Sequence, residues 1–134
     1  MGREQLRRRL LQWWAGCAVA MLLGLGPAMA RDAAPSAGAP VVALAELPIE
    51  ARAVHRAVHS GGPFRHDKDG MVFGNRERLL PRAPRGFYRE YTVHTPGARD
   101  RGARRLVCGG VRPTTPDTCF YTADHYASFR RIAP

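Results

Sequence analysis

Two acidic side chains, Glu90 and Asp100, lie among several arginines in the stretch between residues 89 and 105. Glu90 is in its first half. The second half carries four arginines: Arg99, Arg101, Arg104 and Arg105. Guanidinium groups bind phosphate oxygens through paired hydrogen bonds, and a carboxylate beside them can move a proton on the bound group. These residue types therefore predict an anion-binding site with acid–base chemistry, and the alternative is a solvated basic surface.

A histidine further along the chain completes this candidate set. Period-2 alternation places Glu90 and Thr92 on one face of a strand, and Tyr91 and Val93 on the other face. His125 lies at the tip of a predicted hairpin, and a sheet can bring it to the face that carries Glu90. One of the two groups can accept a proton while the other donates one. The alternative is that His125 is only a polar turn residue.

The elements that must position these residues are one helix and a series of short strands. Pro48 and Glu50 suit the first turn of a helix, whose apolar stripe is formed by Ile49, Val54, Ala57 and Val58, and glycines at 61 and 62 end it. Strands are predicted over residues 71–73, 87–94, 104–108, 119–122 and 126–129. This order predicts an α+β fold in which one N-terminal helix packs on a twisted antiparallel β-sheet.

Two patterns that suggest a metal ion are rejected. His55 and His59 are four residues apart on the basic side of the helix, but no carboxylate or third ligand is indicated nearby. The turn at residues 66–70 resembles part of a calcium loop, but Arg78 lies where a bidentate glutamate is required. No set of cysteines and histidines has zinc spacing. We therefore predict no metal site.

The first thirty residues have the organisation of a secretory signal peptide. A basic start precedes an apolar run over 10–26, and Ala28-Met29-Ala30 matches the small-x-small cleavage pattern. The alternative is a membrane anchor, because the uncharged run over 10–30 is just long enough to span a bilayer. Glycines and a proline ahead of the cleavage pattern favour removal. We therefore expect a secreted, extracellular protein.

Behind this peptide we expect a flexible N-terminal segment over 31–46, with folded structure beginning near Val41, and one domain over 47–134. The first thirty residues carry four arginines and one glutamate of the 21 basic and 11 acidic residues, so 17 and 10 remain, a net charge of +7. Such a charge favours polyanionic partners such as nucleic acid, anionic membranes or cell wall, without choosing among them.

Two cysteines, Cys108 and Cys119, remain after the signal peptide. Export makes a disulfide between them plausible, and it would contribute about 2–3 kcal/mol on the chain-entropy model. The alternative is a buried free thiol at Cys108, which lies in an apolar strand.

Four blocks of this sequence together resemble the small secreted guanyl-specific ribonucleases of the barnase, binase and actinomycete family. They are the helix, GPF…DGMVFGNRE over 62–77, YREYTVHTPGARDRGARRLVCGG over 88–110, and FYTADHYASFRRI over 120–132. Each block alone is weak, but the order and spacing of all four are specific. The resemblance implies an endoribonuclease that cleaves single-stranded RNA 3′ of guanosine through a 2′,3′-cyclic phosphate, without metal or cofactor.

The resemblance also implies roles for individual residues. Glu90 would take the proton of the ribose 2′-OH, and His125 would protonate the leaving 5′-oxygen. Arg105 would bind the scissile phosphate with help from Arg101. Glu77 would accept hydrogen bonds from guanine N1–H and the 2-amino group. The other implied substrate-binding residues are Phe73, Asn75, Arg76 and Tyr126.

A second hypothesis is a non-catalytic, cationic secreted protein that binds RNA or an anionic surface. The net charge supports it equally well, but a simple binder has no need of Glu90 or Glu77 among basic residues. The resemblance further implies an acidic intracellular inhibitor similar to barstar, with carboxylates facing Arg101, Arg105 and His125. A monomer is the default expectation.

Overall fold

A computed structural model describes residues 38–134 of the chain. The predicted signal peptide, residues 1–30, lies outside the described residues, as do residues 31–37 of the predicted flexible segment. No helix within 38–134 has the length and apolar character that crossing a membrane requires.

Over residues 38–134 the fold has one α-helix and a six-stranded sheet, which confirms the predicted α+β class. A single 3-10 turn, Leu44–Glu46, precedes helix α1, Ile49–Ser60. The strands are β1 Val41–Ala43, β2 Met71–Val72, β3 Tyr88–Thr92, β4 Arg105–Gly109, β5 Thr118–Thr122 and β6 Arg130–Ala133. Their order across the sheet is β1-β6-β5-β4-β3-β2.

The sheet is mixed, so the prediction of an antiparallel sheet is wrong at one edge. β1 pairs with β6 in parallel, whereas the other four pairs are antiparallel. Val42 and Leu47 are buried in the same apolar cluster as α1. Burial of these two side chains holds residues 41–46 against the sheet. Within residues 38–134, regular secondary structure therefore begins at Val41, inside the segment over 31–46 that we expected to be flexible.

The two faces of the sheet carry separate apolar clusters. On the helix side, Ala51 and Val58 of α1 are almost fully buried against the sheet. These positions are seven residues apart, which is about two helical turns. Ile49, predicted to belong to the apolar stripe, is 65% exposed because it lies at the first position of α1 on another side. The opposite face carries a smaller cluster: Leu80, Tyr88, Val107, Phe120 and Phe129.

The structure joins Cys108 and Cys119 in a disulfide. The two residues lie directly opposite each other on β4 and β5, and both are buried on the helix side of the sheet.

The end of the chain differs from the predicted hairpin. β5 ends at Thr122, and the return strand β6 begins only at Arg130, so the prediction of a strand over 126–129 is wrong. His125 and Tyr126 have φ angles of 56° and 71°, which an extended strand does not adopt. The chain therefore forms a compact turn here, and that turn presents His125 and Tyr126.

Candidate active site

The candidate catalytic residues lie on the sheet face that points away from the helix. Glu90 of β3 is opposite Val107 of β4, and two positions further along Thr92 is opposite Arg105. Val107 belongs to the cluster on the outer face. Because alternate residues of a strand share a face, Glu90 and Arg105 both point outward from the helix side.

Glu90 makes two polar contacts with its neighbours. Its Oε1 is 3.4 Å from Nη2 of Arg101, and its Oε2 accepts a hydrogen bond of 2.8 Å from the hydroxyl of Tyr126. Burial, followed by this hydrogen bond, raises the pKa of Tyr126 above its usual value, so the phenol stays a donor at neutral pH. The carboxylate is therefore oriented from two sides.

Arg101 is held in turn by a buried carboxylate that the sequence analysis treated only as a turn residue. Asp69 has a side chain only 4% exposed, and its Oδ1 lies 3.8 Å from Nη2 of Arg101. The same oxygen accepts a 2.7 Å hydrogen bond from the backbone N–H of Thr92, whose hydroxyl accepts from Nε of Arg101 at 2.7 Å. Asp69 and Thr92 thus direct Arg101 toward Glu90. The sequence signal that could have identified Asp69 is its position just before β2, the strand that pairs with β3.

Arg105 is the most unusual residue of the site, because it is a cation that is only 2% exposed. Its Nη1 donates to the carbonyl oxygens of Gly102 and Arg104, each at 2.8 Å, and its Nε is buried without a partner. Its guanidinium carbon lies 5.8 Å from the centre of the Tyr126 ring. Within residues 38–134, no carboxylate lies within 4 Å of the Arg105 guanidinium. A buried guanidinium with unused donors and no counter-ion is suited to binding an anion.

His125 shares a cavity with both arginines. This cavity of about 420 Å³ is lined by Asp100, Arg101, Gly102, Ala103, Arg105 and His125. The backbone N–H of His125 donates to the carbonyl of Ala103 at 3.1 Å, and its exposed ring lies 5.0 Å from that of Tyr126. Three of the four predicted catalytic residues therefore line one cavity, which we name the phosphate cavity. The fourth, Glu90, contacts one of them, Arg101.

A second and larger cavity, of about 800 Å³, brings together all five predicted substrate-binding residues and Glu90. The rings of Phe73 and Tyr126 are stacked, with centres 5.3 Å apart. Tyr126 also contacts Glu90 and Arg105, so it lies between the two cavities. We name this second space the base cavity.

The loop after β2 owes its shape to Asn75. The side-chain amide of Asn75 donates to the carbonyl of Leu80 at 2.9 Å and accepts from the N–H of Leu80 at 3.1 Å. The backbone of Asn75 is left-handed, with a φ of 46°, and its carbonyl accepts from the N–H of Arg78. Asn75 therefore lines the base cavity while its side chain is engaged within the loop, and it acts by shaping the loop.

We expect loss of the Asp124 side chain to destabilise the turn that presents His125. Hydrogen bonds, first from the side chain and backbone of Ser128 and then from Thr122, lower the pKa of Asp124 from 3.8 to about 2. A lowered folded-state pKa means that this stabilisation is present above pH 3.8 and is lost as the pH falls toward 2. Melting temperatures should therefore be lower for Asp124→Ala than for the native protein at pH 7, and should converge near pH 2. A difference that persists unchanged at pH 2 would contradict this assignment.

Within residues 38–134, no three His, Cys, Asp or Glu side chains gather as metal ligands. The rings of His55 and His59 are 4.7 Å apart on α1. Burial, and then the nearby His59, lowers the pKa of His55.

Comparison with known proteins gives consistent matches over the described part of the chain. The sequence model of the ribonuclease family matches residues 30–133. Guanyl-specific ribonuclease Sa3 of Kitasatospora aureofaciens is 50% identical over 91 residues, which are 68% of this chain and 62% of that protein. Guanyl-specific ribonuclease St of Saccharopolyspora erythraea is 49% identical over 89 residues, which are 66% of this chain and 83% of that protein.

A solved structure shares the fold. The crystal structure of ribonuclease Sa2 with guanosine-2′-cyclophosphate superposes with a TM-score of 0.65 at 39% identity. The match covers 72% of this chain and 98% of that chain.

Proposed function

Because this chain belongs to the ribonuclease family, we propose that it is a guanyl-specific endoribonuclease that cleaves single-stranded RNA through a 2′,3′-cyclic phosphate. One observation carries the proposal. The phosphate cavity joins a buried, uncompensated Arg105 to His125, and Arg101 on its wall contacts the carboxylate of Glu90. The names of the matched relatives agree with this reaction and with guanine as the recognised base.

The reaction assigns one task to each side chain. The ribose 2′-oxygen attacks phosphorus while its proton passes to Glu90. The bond from phosphorus to the 5′-oxygen breaks, and that oxygen takes a proton from His125. Arg105 and Arg101 bind the non-bridging oxygens and stabilise the charge that develops on them. Water then opens the cyclic phosphate with the two proton-transfer roles exchanged.

Guanine recognition belongs to the loop that Asn75 shapes. Glu77 lies on this loop, lines the base cavity, and can accept hydrogen bonds from N1–H and the 2-amino group of guanine. Adenine offers neither donor. Phe73 and Arg76 line the same cavity and offer surfaces on which the base can pack.

The test uses the purified protein in EDTA with the dinucleotides GpC and ApC and with GpC that carries 2′-deoxyguanosine. We expect guanosine 2′,3′-cyclic phosphate from GpC and no cleavage of the deoxy analogue, since that analogue lacks the attacking 2′-OH. RNA binding without any cleavage would instead support a non-catalytic cationic protein. Cleavage that requires a divalent metal would contradict the mechanism.

Glu77→Gln should reduce the preference for GpC over ApC. The amide of glutamine replaces one acceptor oxygen by a donor, so one of the two hydrogen bonds to guanine is lost. A buried donor left unpaired costs about 1–3 kcal/mol, which corresponds to a roughly 5- to 150-fold fall in kcat/KM for GpC. Steady-state kinetics on both dinucleotides checks this, with Glu46→Gln, an exposed glutamate far from the loop in sequence, as the matched control. An unchanged preference would contradict the role of Glu77.

We also propose that the protein is secreted after removal of residues 1–30 and acts as a monomer. The basic start, apolar run and small-residue cleavage pattern support export. Mass spectrometry of the protein from culture medium would identify the new N-terminus, and a mass that includes residues 1–30 would contradict cleavage. Sedimentation would give the oligomeric state.

An acidic intracellular inhibitor similar to barstar is the partner that we propose for the producing cell. Arg101, Arg105 and His125 line one cavity, and carboxylates of a partner could occupy the place of the RNA phosphate. Co-purification of the enzyme from producing cells would test it, since the partner should be acidic and should block cleavage of GpC.

A further inference from the structure

The base cavity extends past the recognition loop to an end that the proposed reaction does not use. Its lining includes Glu90 and Tyr126, which belong to the proposed reaction, and also Ala83, Pro84, Arg85 and Gly86, which do not. Its volume of about 800 Å³ is in the upper part of the roughly 300–1,000 Å³ range of sites for drug-sized ligands. A single purine base therefore leaves part of it available.

Strand β3 shows where the base cavity lies relative to the phosphate cavity. Thr92, at the C-terminal end of β3, pairs with Arg105, so the phosphate cavity lies at that end. Glu90 is in the middle of the strand, and Arg85 precedes its first residue, Tyr88. The advance from Tyr88 to Thr92 is about 13 Å at 3.3 Å per residue. The Arg85 end and the phosphate cavity are therefore at opposite ends of the site.

The Arg85 end has the charge and the apolar surface that suit a nucleotide. Arg76 and Arg85 both line the cavity, and neither has a carboxylate within 4 Å in the described part of the chain. Leu79 is 42% exposed and Val72 is 48% exposed, and both also line the cavity. Bases pack on exposed apolar surface, while guanidinium groups hold phosphates.

We propose that this end of the cavity is a subsite for the nucleotide on the 5′ side of the cleaved guanosine, with Arg85 binding the phosphate between the two. This inference rests on the proposed function. The leaving 5′-oxygen faces His125, so the RNA that follows the cleaved bond departs past the phosphate cavity. Only the RNA that precedes the guanosine can reach Arg85. The protein then prefers longer RNA with residues upstream of the guanosine.

The first experiment compares kcat/KM for the tetranucleotides ApApGpC and GpCpApA, which have the same composition and charge. For the native protein the upstream-extended substrate should be preferred. Arg85→Ala should lower the ratio of ApApGpC to GpCpApA by about threefold or more, because only the upstream substrate places a phosphate at Arg85. Arg56→Ala is the control, since it removes an exposed arginine from α1 on the other side of the sheet.

The outcomes separate the subsite from the proposed function. A ratio that Arg85→Ala leaves unchanged, or an equal loss on both tetranucleotides, would overturn the subsite while the ribonuclease assignment stands. Failure of the native protein to cleave either substrate would overturn the proposed function.

A second measurement does not depend on cleavage. Fluorescence anisotropy with ApApGpC that carries 2′-deoxyguanosine would give binding constants at several salt concentrations. One phosphate contact fewer should reduce the slope of log K against log salt concentration by about 0.7 in Arg85→Ala. The slope for Arg56→Ala should remain that of the native protein. An equal change in both variants would overturn the subsite.

Discussion

We expect Glu90→Ala and His125→Ala each to lower kcat for GpC by about 10²- to 10⁴-fold, which is the usual contribution of a positioned general base or acid. The native pH profile should be bell-shaped, because the proposed mechanism needs Glu90 without its proton and His125 with one. The acidic limb of the profile should disappear in Glu90→Ala and the alkaline limb in His125→Ala. Rates measured from the acid to the alkaline range for the native protein and both variants would check this.

The structure makes these two variants interpretable. His125 is exposed, and Glu90 is half-buried on the outer face of the sheet, so neither side chain belongs to an apolar cluster. The fold should survive both changes, and near-UV circular dichroism would show it. His59→Ala is a matched control, because it removes an exposed histidine from α1. Full activity in either catalytic variant would contradict the assignment.

Arg105→Met should separate activity from stability. Loss of a group that stabilises the transition-state charge lowers kcat by about 10²- to 10³-fold. The buried guanidinium has no carboxylate partner, and apolar replacement of buried charge is often neutral or stabilising. The lost hydrogen bonds to Gly102 and Arg104 offset part of that gain. We therefore expect a free energy of unfolding in urea at least equal to that of the native protein.

The effect of added phosphate on stability tests whether Arg105 binds an anion. An anion that binds only the folded state stabilises it by about 2.7 kcal/mol at 100 times its Kd. The native protein should therefore gain melting temperature in phosphate, and Arg105→Met should gain much less. Arg56→Met, on α1, controls for the loss of one positive charge. Severe destabilisation of Arg105→Met with activity retained would contradict our account of Arg105.

Several features of the fold were predictable from local pattern. Alternation along the predicted strand over 87–94 placed Tyr91 and Val93 on the face opposite Glu90, and the structure has both in the core on the helix side. The same alternation holds in β4, where Arg105 and Leu106 are neighbours and therefore lie on opposite faces. Strand alternation is a local geometric property, so a short window of sequence is sufficient to predict it.

Features that depend on distant partners were predicted poorly. β1 pairs in parallel with β6, from the other end of the chain, and no local signal announces such a pairing. The segment 126–129 has the composition of a strand, but hydrogen bonds from Thr122 and Ser128 to Asp124 close the chain into a turn. A side-chain cap therefore prevailed over strand propensity.

The sequence by itself determined the α+β class, the chemical types available at the site and the family to which the chain belongs, because residue identity and local periodicity carry that information. Only the tertiary structure decided that Asp69 holds Arg101 beside Glu90, that Arg105 is buried without a counter-ion, and that the base cavity continues to Arg85. The physical reason is that burial and ion pairing are set by residues far apart in the chain, and they exist only once the sheet has brought those residues together.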